Sequence, residues 1–130
     1  MDNATKGEVI VATTNGSISC GFWGELLTTG AKEHGCQEAI IDGFTRDQNK
    51  IIEMKFPLFV KDTSPYDSKG RTEVIAYQVP IMCGNVLVKP GDIICADVDG
   101  ISVISQEIED KVIKKLWKKY LGKIRREKNF

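Results

Sequence analysis

Two short β-branched runs that flank a helical segment limit most strongly what this chain can fold into. Residues 8–13 and 38–42 have the composition of buried strands, and Gly43 closes the second of them. Between them, residues 26–34 have helical spacing and end at Gly35, a residue favoured just past a helix C-terminus. This strand–helix–strand order predicts an α/β fold with parallel strands joined by a crossover. Such sheets bind ligands at the carboxyl ends of their strands.

The rest of the chain alternates predicted strands and helices. We expect a short helix at 47–54, a strand at 57–60, a turn-rich loop at 63–71, short strands over 73–99, a strand at 101–104 and a helix from Gln106. The last helix has apolar residues at helical spacing: Ile108, Val112, Ile113, Leu116, Trp117, Tyr120, Leu121 and Ile124. This apolar face is wider than a lone surface helix needs. We therefore expect the helix to dock on the preceding part of the chain or on another subunit.

Charge separates the body of the chain from its last segment. The 130 residues carry no net charge, but residues 1–106 hold nine Lys/Arg against fourteen Asp/Glu, whereas residues 107–130 hold nine against four. We predict one domain over 1–106 and a basic amphipathic helix over 107–130. A basic segment can bind nucleic acid, but a solvated face that complements the acidic body or a neighbouring subunit is the favoured interpretation.

The remaining metal-ligating side chains are expected to be structural. Cys20, Cys36, Cys83 and Cys95 are scattered without a CxxC pair, which disfavours zinc and indicates reduced thiols in a cytoplasmic protein. Cys83 and Cys95 are predicted to pack within strands. His34 falls at a helix C-terminus, and Asp97 and Asp99 precede the last strand as turn formers. No apolar stretch approaches the roughly 20 residues that span a membrane, and no signal peptide is visible.

Arg46 and Asp47, which follow the second predicted strand, are the strongest candidates for chemistry. The carboxylate of Asp47 can hold Mg²⁺ or Mn²⁺, because hard cations prefer oxygen ligands. The adjacent guanidinium can hold an oxyanion and stabilise negative charge that develops in a reaction. Two simpler interpretations stay open: Asp47 as the N-cap of the following helix, and Arg46 in a surface salt bridge.

A second candidate group lies at the start of the first predicted helix. Twenty residues separate Glu25 from Arg46. Backbone N–H groups at a helix start can bind a substrate carboxylate, and the residues concerned are Gly24, Glu25, Leu26 and Leu27. Glu25 is also explained more simply as a first-turn glutamate that the helix dipole favours.

Several separate motifs occur in one order along the chain. They are Trp23-Gly24-Glu25-Leu26-Leu27, Asp42-Gly43-x-x-Arg46-Asp47, Ser64-Pro65, Gly70-Arg71, Cys83-Gly84, Lys89-Pro90-Gly91-Asp92 and Asp97-x-Asp99-Gly100. Through them, over about residues 7–113, the chain resembles the family of the regulator of ribonuclease E activity A and the 4-hydroxy-4-methyl-2-oxoglutarate aldolases. The resemblance implies a swivelling β/β/α fold assembled as a trimer or as a hexamer, a dimer of trimers.

The family's enzymes are divalent-metal-dependent class II aldolases that release pyruvate and also decarboxylate oxaloacetate. For this chain, the resemblance implies a lyase that acts on 2-keto acids, with Mg²⁺ or Mn²⁺ held by Asp47. Arg46 is then expected to stabilise the pyruvate enolate, and Glu25 to hold a water bound to the metal. The family's non-enzymatic ribonuclease regulators lack the aspartate after the arginine, so Asp47 favours a catalytic ancestry.

Two departures from the family pattern keep alternatives open. Members normally carry some tens of residues before the strand at Val9, so we expect a fragmentary form or half of a split protein. The aldolases also use a glutamate from the C-terminal helix of a neighbouring subunit, where this chain has Lys123, with Glu127 one turn later. The alternatives are a non-catalytic module that regulates a ribonuclease or another partner, and an inactive fragment of the fold.

Overall fold

A computed structural model of the protein describes residues 3–16 and 20–128, with side chains as far as residue 121, and this part of the chain holds eight strands and three α-helices. The elements are β1 (Val9–Thr13), β2 (Gly21–Trp23), α1 (Glu25–Glu33), β3 (Glu38–Thr45), α2 (Gln48–Glu53), β4 (Leu58–Thr63), β5 (Ile81–Cys83), β6 (Val86–Val88), β7 (Ile93–Asp97), β8 (Gly100–Ile104) and α3 (Glu109–Lys128). Among the helices of the described residues, none is long and apolar enough to cross a membrane.

Packing divides the chain into two units, Met1–Leu87 and Val88–Phe130. The expected separation of 1–106 from 107–130 stays a prediction.

β3 is the central strand of the first unit. Residues 39–41 pair in parallel with both β1 and β4, and Phe44 and Thr45 pair in parallel with both β2 and β4. Because a strand has one ladder on each side, β4 runs along one side of β3 while β1 and β2 share the other. The predicted parallel crossover is therefore confirmed, and the carboxyl ends of β2 and β3 lie side by side.

One cluster of buried side chains packs α1 and α2 against the sheet. Its members are Trp23, Ala31, Cys36, Ala39, Ile41, Ile51 and Phe56. On β3, Ala39 and Ile41 are two positions apart and so point to the same face of the sheet. Ala31 of α1 and Ala39 are both fully buried, and their small side chains allow the helix to approach the sheet closely.

The structure differs from the sequence expectations in three elements. β3 continues through Gly43 to Thr45, because its ladders to β2 and β4 extend that far. Strand β2, which the sequence does not predict, has only three residues and so shows no alternation of apolar and polar positions. The predicted run of strands is wrong over residues 73–80, which form neither helix nor strand; its strands begin at Ile81.

The junction between β2 and α1 is fixed by buried hydrogen bonds. The indole Nε1–H of Trp23 donates to Thr28 Oγ1 at 2.8 Å, and that hydroxyl donates to the carbonyl of Gly24 at 2.9 Å. Trp23 is 2% exposed and Thr28 is completely buried, so water cannot replace a lost partner. The first turn of α1 is thereby held to the end of β2.

Replacing Thr28 with valine should lower the free energy of unfolding by about 1–3 kcal/mol, because a buried indole N–H loses its acceptor. Thr29→Val is the matched control. Thr29 Oγ1 makes the same kind of bond, to the carbonyl of Glu25 at 2.9 Å, but it is exposed. Loss of this exposed bond should therefore lower the free energy of unfolding by less than about 0.5 kcal/mol. Urea denaturation measures both variants, and equal losses would contradict a special role for the buried bonds.

The β5–β6 hairpin is tied to the parallel sheet through the side chain of Asp42, a role that the sequence alone does not predict. The Asp42 carboxylate on β3 accepts a 2.7 Å hydrogen bond from Gly84 N–H and lies 2.9 Å from Lys61 Nζ on β4. The bond from Lys61, followed by that from Gly84, lowers the pKa of Asp42 despite its burial. An aspartate inside an apolar strand was the sequence signal for this anchor.

This lowered pKa makes the stability of the fold depend on pH. Ionised Asp42 stabilises the fold at pH values above 3.8, the ordinary aspartate pKa, and this contribution is lost as the pH falls through the lower pKa of the folded state. We expect Asp42→Asn to be less stable than the parent at neutral pH, and the difference to shrink on acidification below the ordinary pKa. Thermal denaturation across this pH range measures it. A constant difference would exclude the ionised carboxylate as the cause.

The second unit contains the antiparallel β7–β8 hairpin and α3. The strands pair from Ile93 opposite Ile104 to Asp97 opposite Gly100. Asp97 Oδ1 accepts the N–H groups of Asp99 and Gly100 at 2.8 and 3.2 Å, which confirms the expected turn. The start of the last helical segment is fixed in a similar way, because Asp92 Oδ1 accepts the N–H of Gln106 at 3.1 Å.

Candidate functional site

The ends of β2 and β3 meet at the carbonyl oxygen of Trp23. This oxygen accepts a 2.9 Å hydrogen bond from the N–H of Arg46 and a 2.8 Å bond from the buried hydroxyl of Thr45. The two bonds fix the backbone that leads into α1 and the backbone that leads into Arg46 and Asp47. The candidate residues therefore lie where two parallel strands end, the position that the strand order predicts.

Asp47 joins the two helices at this edge. Its backbone occupies the N-cap position of α2 in the left-handed region, with φ 58° and ψ 33°, but its side chain makes no cap bond to that helix. Oδ2 instead accepts the N–H of Glu25, the first residue of α1, at 3.1 Å. The N-cap interpretation is thus right for the backbone, whereas the carboxylate caps a different helix. Its negative charge lies at the positive end of the α1 dipole.

Gly24 leaves the space in which these side chains meet. A Cβ at this position would lie 3.0 Å from Asp47 Oδ2 and 3.3 Å from Arg46 Nε. The φ of Gly24 is −153°, a value that any residue adopts, so the need for a small residue is steric. Gly24 has no side chain to cap α1, and Asp47 supplies the missing oxygen.

Arg46 is half-buried and only partly bonded. Its Nη1 lies 3.4 Å from Asp67 Oδ1, the kind of surface ion pair that the sequence left open. Its Nε is buried and has no hydrogen-bond partner among the described residues. A buried N–H without an acceptor costs free energy, so an oxygen of a bound anion would stabilise this side chain.

The loop after β4 places Asp67 beside Arg46, a contact that the sequence alone does not predict. Ser64 N–H donates to the carbonyl of Thr45, and Gly21 N–H donates to the carbonyl of Tyr66, both at 2.8 Å. A Cβ on Gly21 would lie 2.6 Å from the Ser64 carbonyl oxygen, so the loop can pack this closely only on glycine. The signal in the sequence was the Ser64-Pro65 motif within a turn-rich loop.

The first turn of α1 supplies backbone donors next to the two charged residues. The described part of the chain offers no acceptor to the N–H groups of Leu26 and Leu27, as is usual at the start of a helix. The side chains of Glu25 and Leu26 are exposed. The structure thus brings together Gly24, Glu25, Arg46 and Asp47, with Leu26 and Leu27 in the adjoining turn.

The donor set fits a hydrated divalent cation. One oxygen of Asp47 is bonded to Glu25 N–H, which leaves the other for a cation. Within the described residues there is no group of three or more His, Cys, Asp or Glu side chains that could hold a metal ion. A single carboxylate suits Mg²⁺, which keeps several waters in its shell, better than Zn²⁺, which requires three or four protein ligands.

The other candidate ligands lie elsewhere. The Nδ1 of His34 is 2.8 Å from the carbonyl of Gly30 at the C-cap of α1, in agreement with a structural role. Cys83 is partly buried on β5, and burial raises the pKa of its thiol. Cys95 is exposed, so its predicted packing role is wrong, because β7 turns this position to solvent. The side chains of Lys123 and Glu127 lie outside the described residues.

Comparison with known proteins decides the family. The RraA-like family, described as Aldolase/RraA, matches residues 1–103. The chain belongs to this family. The expected α/β architecture is that of solved RraA structures, so the predicted fold class is confirmed.

The RraA-like relatives include proteins named as enzymes and as regulators. A Halalkalibacterium halodurans protein, provisionally named a 4-hydroxy-4-methyl-2-oxoglutarate aldolase, is 34% identical over 98% of this chain and 60% of its own. A Pseudomonas syringae structure has a TM-score of 0.86 at 30% identity and covers 97% of this chain and 62% of that one. Streptomyces coelicolor RraAS2, described as an unusual member of the RNase ES inhibitor RraA protein family, has a TM-score of 0.84 at 27% identity. The match covers 96% of this chain and 64% of that one. This chain therefore spans about 60% of the length of its first relative.

Proposed function

We propose that this protein is a divalent-metal-dependent lyase of the class II pyruvate aldolase type. It would cleave 2-keto acids of the 4-hydroxy-4-methyl-2-oxoglutarate kind and decarboxylate oxaloacetate. The observation that carries this proposal is the buried, unpartnered Nε of Arg46 next to the Asp47 carboxylate at the start of α1. An anion-binding group and a cation-binding group side by side are what such a reaction needs. The names of several relatives support the same reaction class.

The first turn of α1 and Arg46 would hold the substrate between them. The N–H groups of Leu26 and Leu27 donate to the substrate carboxylate, as helix N-termini do for anions. Gly24 keeps the approach to Arg46 free of a side chain. Arg46 places a fixed positive charge where the enolate oxygen forms when the carbon–carbon bond breaks.

Asp47 and Glu25 would provide the metal site and the path for the proton. Mg²⁺ or Mn²⁺, when bound, supplies a Lewis acid that polarises the keto group. Asp47 holds the cation through one carboxylate oxygen. The exposed side chain of Glu25, on the first residue of α1, holds a water that moves the proton.

Metal binding should depend on the charge of Asp47. Asparagine adopts the left-handed conformation more readily than most residues, so Asp47→Asn removes the charge while preserving the backbone. In calorimetric titration with Mn²⁺, we expect this variant to bind at least about tenfold more weakly than the parent. Asp62→Asn, at an exposed carboxylate on β4, is the control and should bind like the parent. Equal binding by Asp47→Asn would remove Asp47 as the ligand.

Oxaloacetate decarboxylation should depend on the shape of the Arg46 side chain. With Mg²⁺, the protein should form pyruvate faster than the free metal ion does. In Arg46→Lys, the acceleration over the free metal ion should be roughly a hundredfold or more smaller than in the parent. The reason is that an ammonium group lacks the planar fork that contacts two oxygens. Arg71→Lys is the control, since Arg71 lies over the Tyr66 ring on the same loop. A parent rate equal to that of the metal alone, in a folded sample, would contradict the enzymatic proposal.

A non-catalytic regulator of a ribonuclease or of another protein is the second candidate, and an inactive fragment is the third. Exposed apolar side chains on α3 favour a binding role: Ile113, Leu116, Trp117, Tyr120 and Leu121. A similar structure, described as that of the RNA-processing inhibitor RraA, agrees with the regulator. Metal-dependent turnover separates the enzyme from both alternatives.

We also propose assembly into a homotrimer or hexamer. The exposed apolar face of α3 needs a partner surface, and the acidic residues 1–106 complement the basic residues 107–130. Such an arrangement lets one copy receive the last helix of another. Light scattering that shows only a monomer at micromolar concentration would contradict this assembly.

A further inference from the structure

Residues 74–87 form an apolar, uncharged and exposed segment of the first unit, called here the 74–87 surface. Ile81 is partly buried, and seven other large apolar side chains of the segment are exposed by 41–82%: Val74, Ile75, Tyr77, Val79, Met82, Val86 and Leu87. None of its residues is charged, although 28% of the whole chain is. Exposed apolar side chains are ordinary when scattered singly, whereas a group of this size marks a binding surface.

The backbone of the 74–87 surface is also incompletely bonded. Within the described residues, β5 and β6 pair only with each other, and each has three residues. Residues 73–80 have no helix, no strand and no backbone–backbone hydrogen bond to any other described residue. A two-stranded hairpin is marginal in isolation, and free strand edges accept another strand.

The hairpin is nevertheless held in place. Gly84, in its turn, donates to the Asp42 carboxylate at 2.7 Å, and Asp42 is paired with Lys61. This anchor fixes the turn, while among the described residues no third strand pairs with either edge of the hairpin. The surface is therefore presented in a defined position before anything binds to it.

We propose that the 74–87 surface binds an apolar, strand-forming polypeptide segment equivalent to the part of the RraA-like proteins that this chain does not span. More than a third of the P. syringae protein has no counterpart here, although 97% of this chain superposes on it. The 74–87 surface offers both apolar area to bury and backbone groups to pair, the two requirements of strand addition.

The chemistry of the surface distinguishes this occupant from the last helix of a second copy. Residues 107–130 carry nine Lys/Arg, so their docking should be guided by charge and weakened by salt. The 74–87 surface has no charge with which to attract them. Association through burial of apolar side chains should instead persist in salt.

The test uses the full chain and overlapping synthetic peptides that cover the unmatched part of the H. halodurans relative. One peptide or a few adjacent ones should slow hydrogen exchange of the amides at 73–88 and bind equally at low and high salt. Met82→Lys should weaken that binding at least tenfold, since a charge enters an apolar contact. Ile52→Lys is the matched control, because Ile52 on α2 is 63% exposed and Met82 is 51% exposed. It should bind like the parent.

Three results would overturn the proposal. The first is that no peptide protects residues 73–88. The second is that Ile52→Lys weakens binding as much as Met82→Lys does, which would indicate non-specific adhesion. The third is that, without any peptide, Met82→Lys changes the molar mass that light scattering measures for the protein. Such a change would mean that a second copy of the chain occupies the surface. The test needs no metal or substrate, so its outcome is independent of the proposed lyase activity.

Discussion

The carbonyl oxygen of Trp23 is the point on which the candidate site depends. It accepts hydrogen bonds from both the backbone of Arg46 and the hydroxyl of Thr45, while the indole of the same residue is bonded to Thr28 inside α1. A single buried residue thus sets the positions of the end of β3 and the start of α1. The distance between the guanidinium and the helix N-terminus follows from that arrangement, because neither element can move without breaking a buried bond.

The placement of Asp47 sets two electrostatic effects against each other. The N-terminus of α1 holds the carboxylate through Glu25 N–H, so the positive end of the helix dipole lies beside the negative charge. The same positive dipole end repels a cation that approaches the other carboxylate oxygen. If the proposed cation binds here, it would exchange easily and be held most firmly when a substrate carboxylate also neutralises the helix end. Metal and substrate would then bind cooperatively.

Much of this fold could be predicted from sequence, since β1, α1, α2 and β3 have periodicity and turn residues that act locally. The position of Arg46 and Asp47 at the end of β3 followed from strand order alone. β2 could not be predicted in this way, because three residues form a strand only when β3 offers them a ladder. The strand prediction for residues 73–80 was wrong for the opposite reason. Their composition favours a strand, but no neighbour pairs with them among the described residues. The contacts of Asp42 and Asp67 required tertiary structure, because their partners are distant in sequence or in a loop.

The left-handed backbone of Asp47 also bears on how this protein can change over evolutionary time. Several amino acids can be reached from an aspartate codon by one base change, and most of them, such as valine or tyrosine, are strained at a φ of 58°. Asparagine, histidine and glycine are the better tolerated exceptions, and all three remove the negative charge. Mutation at this position therefore tends either to damage the fold or to yield a stable protein without the carboxylate. On the proposed function, a single change to asparagine would exchange metal chemistry for a purely binding role while keeping a side-chain oxygen that can accept the Glu25 N–H.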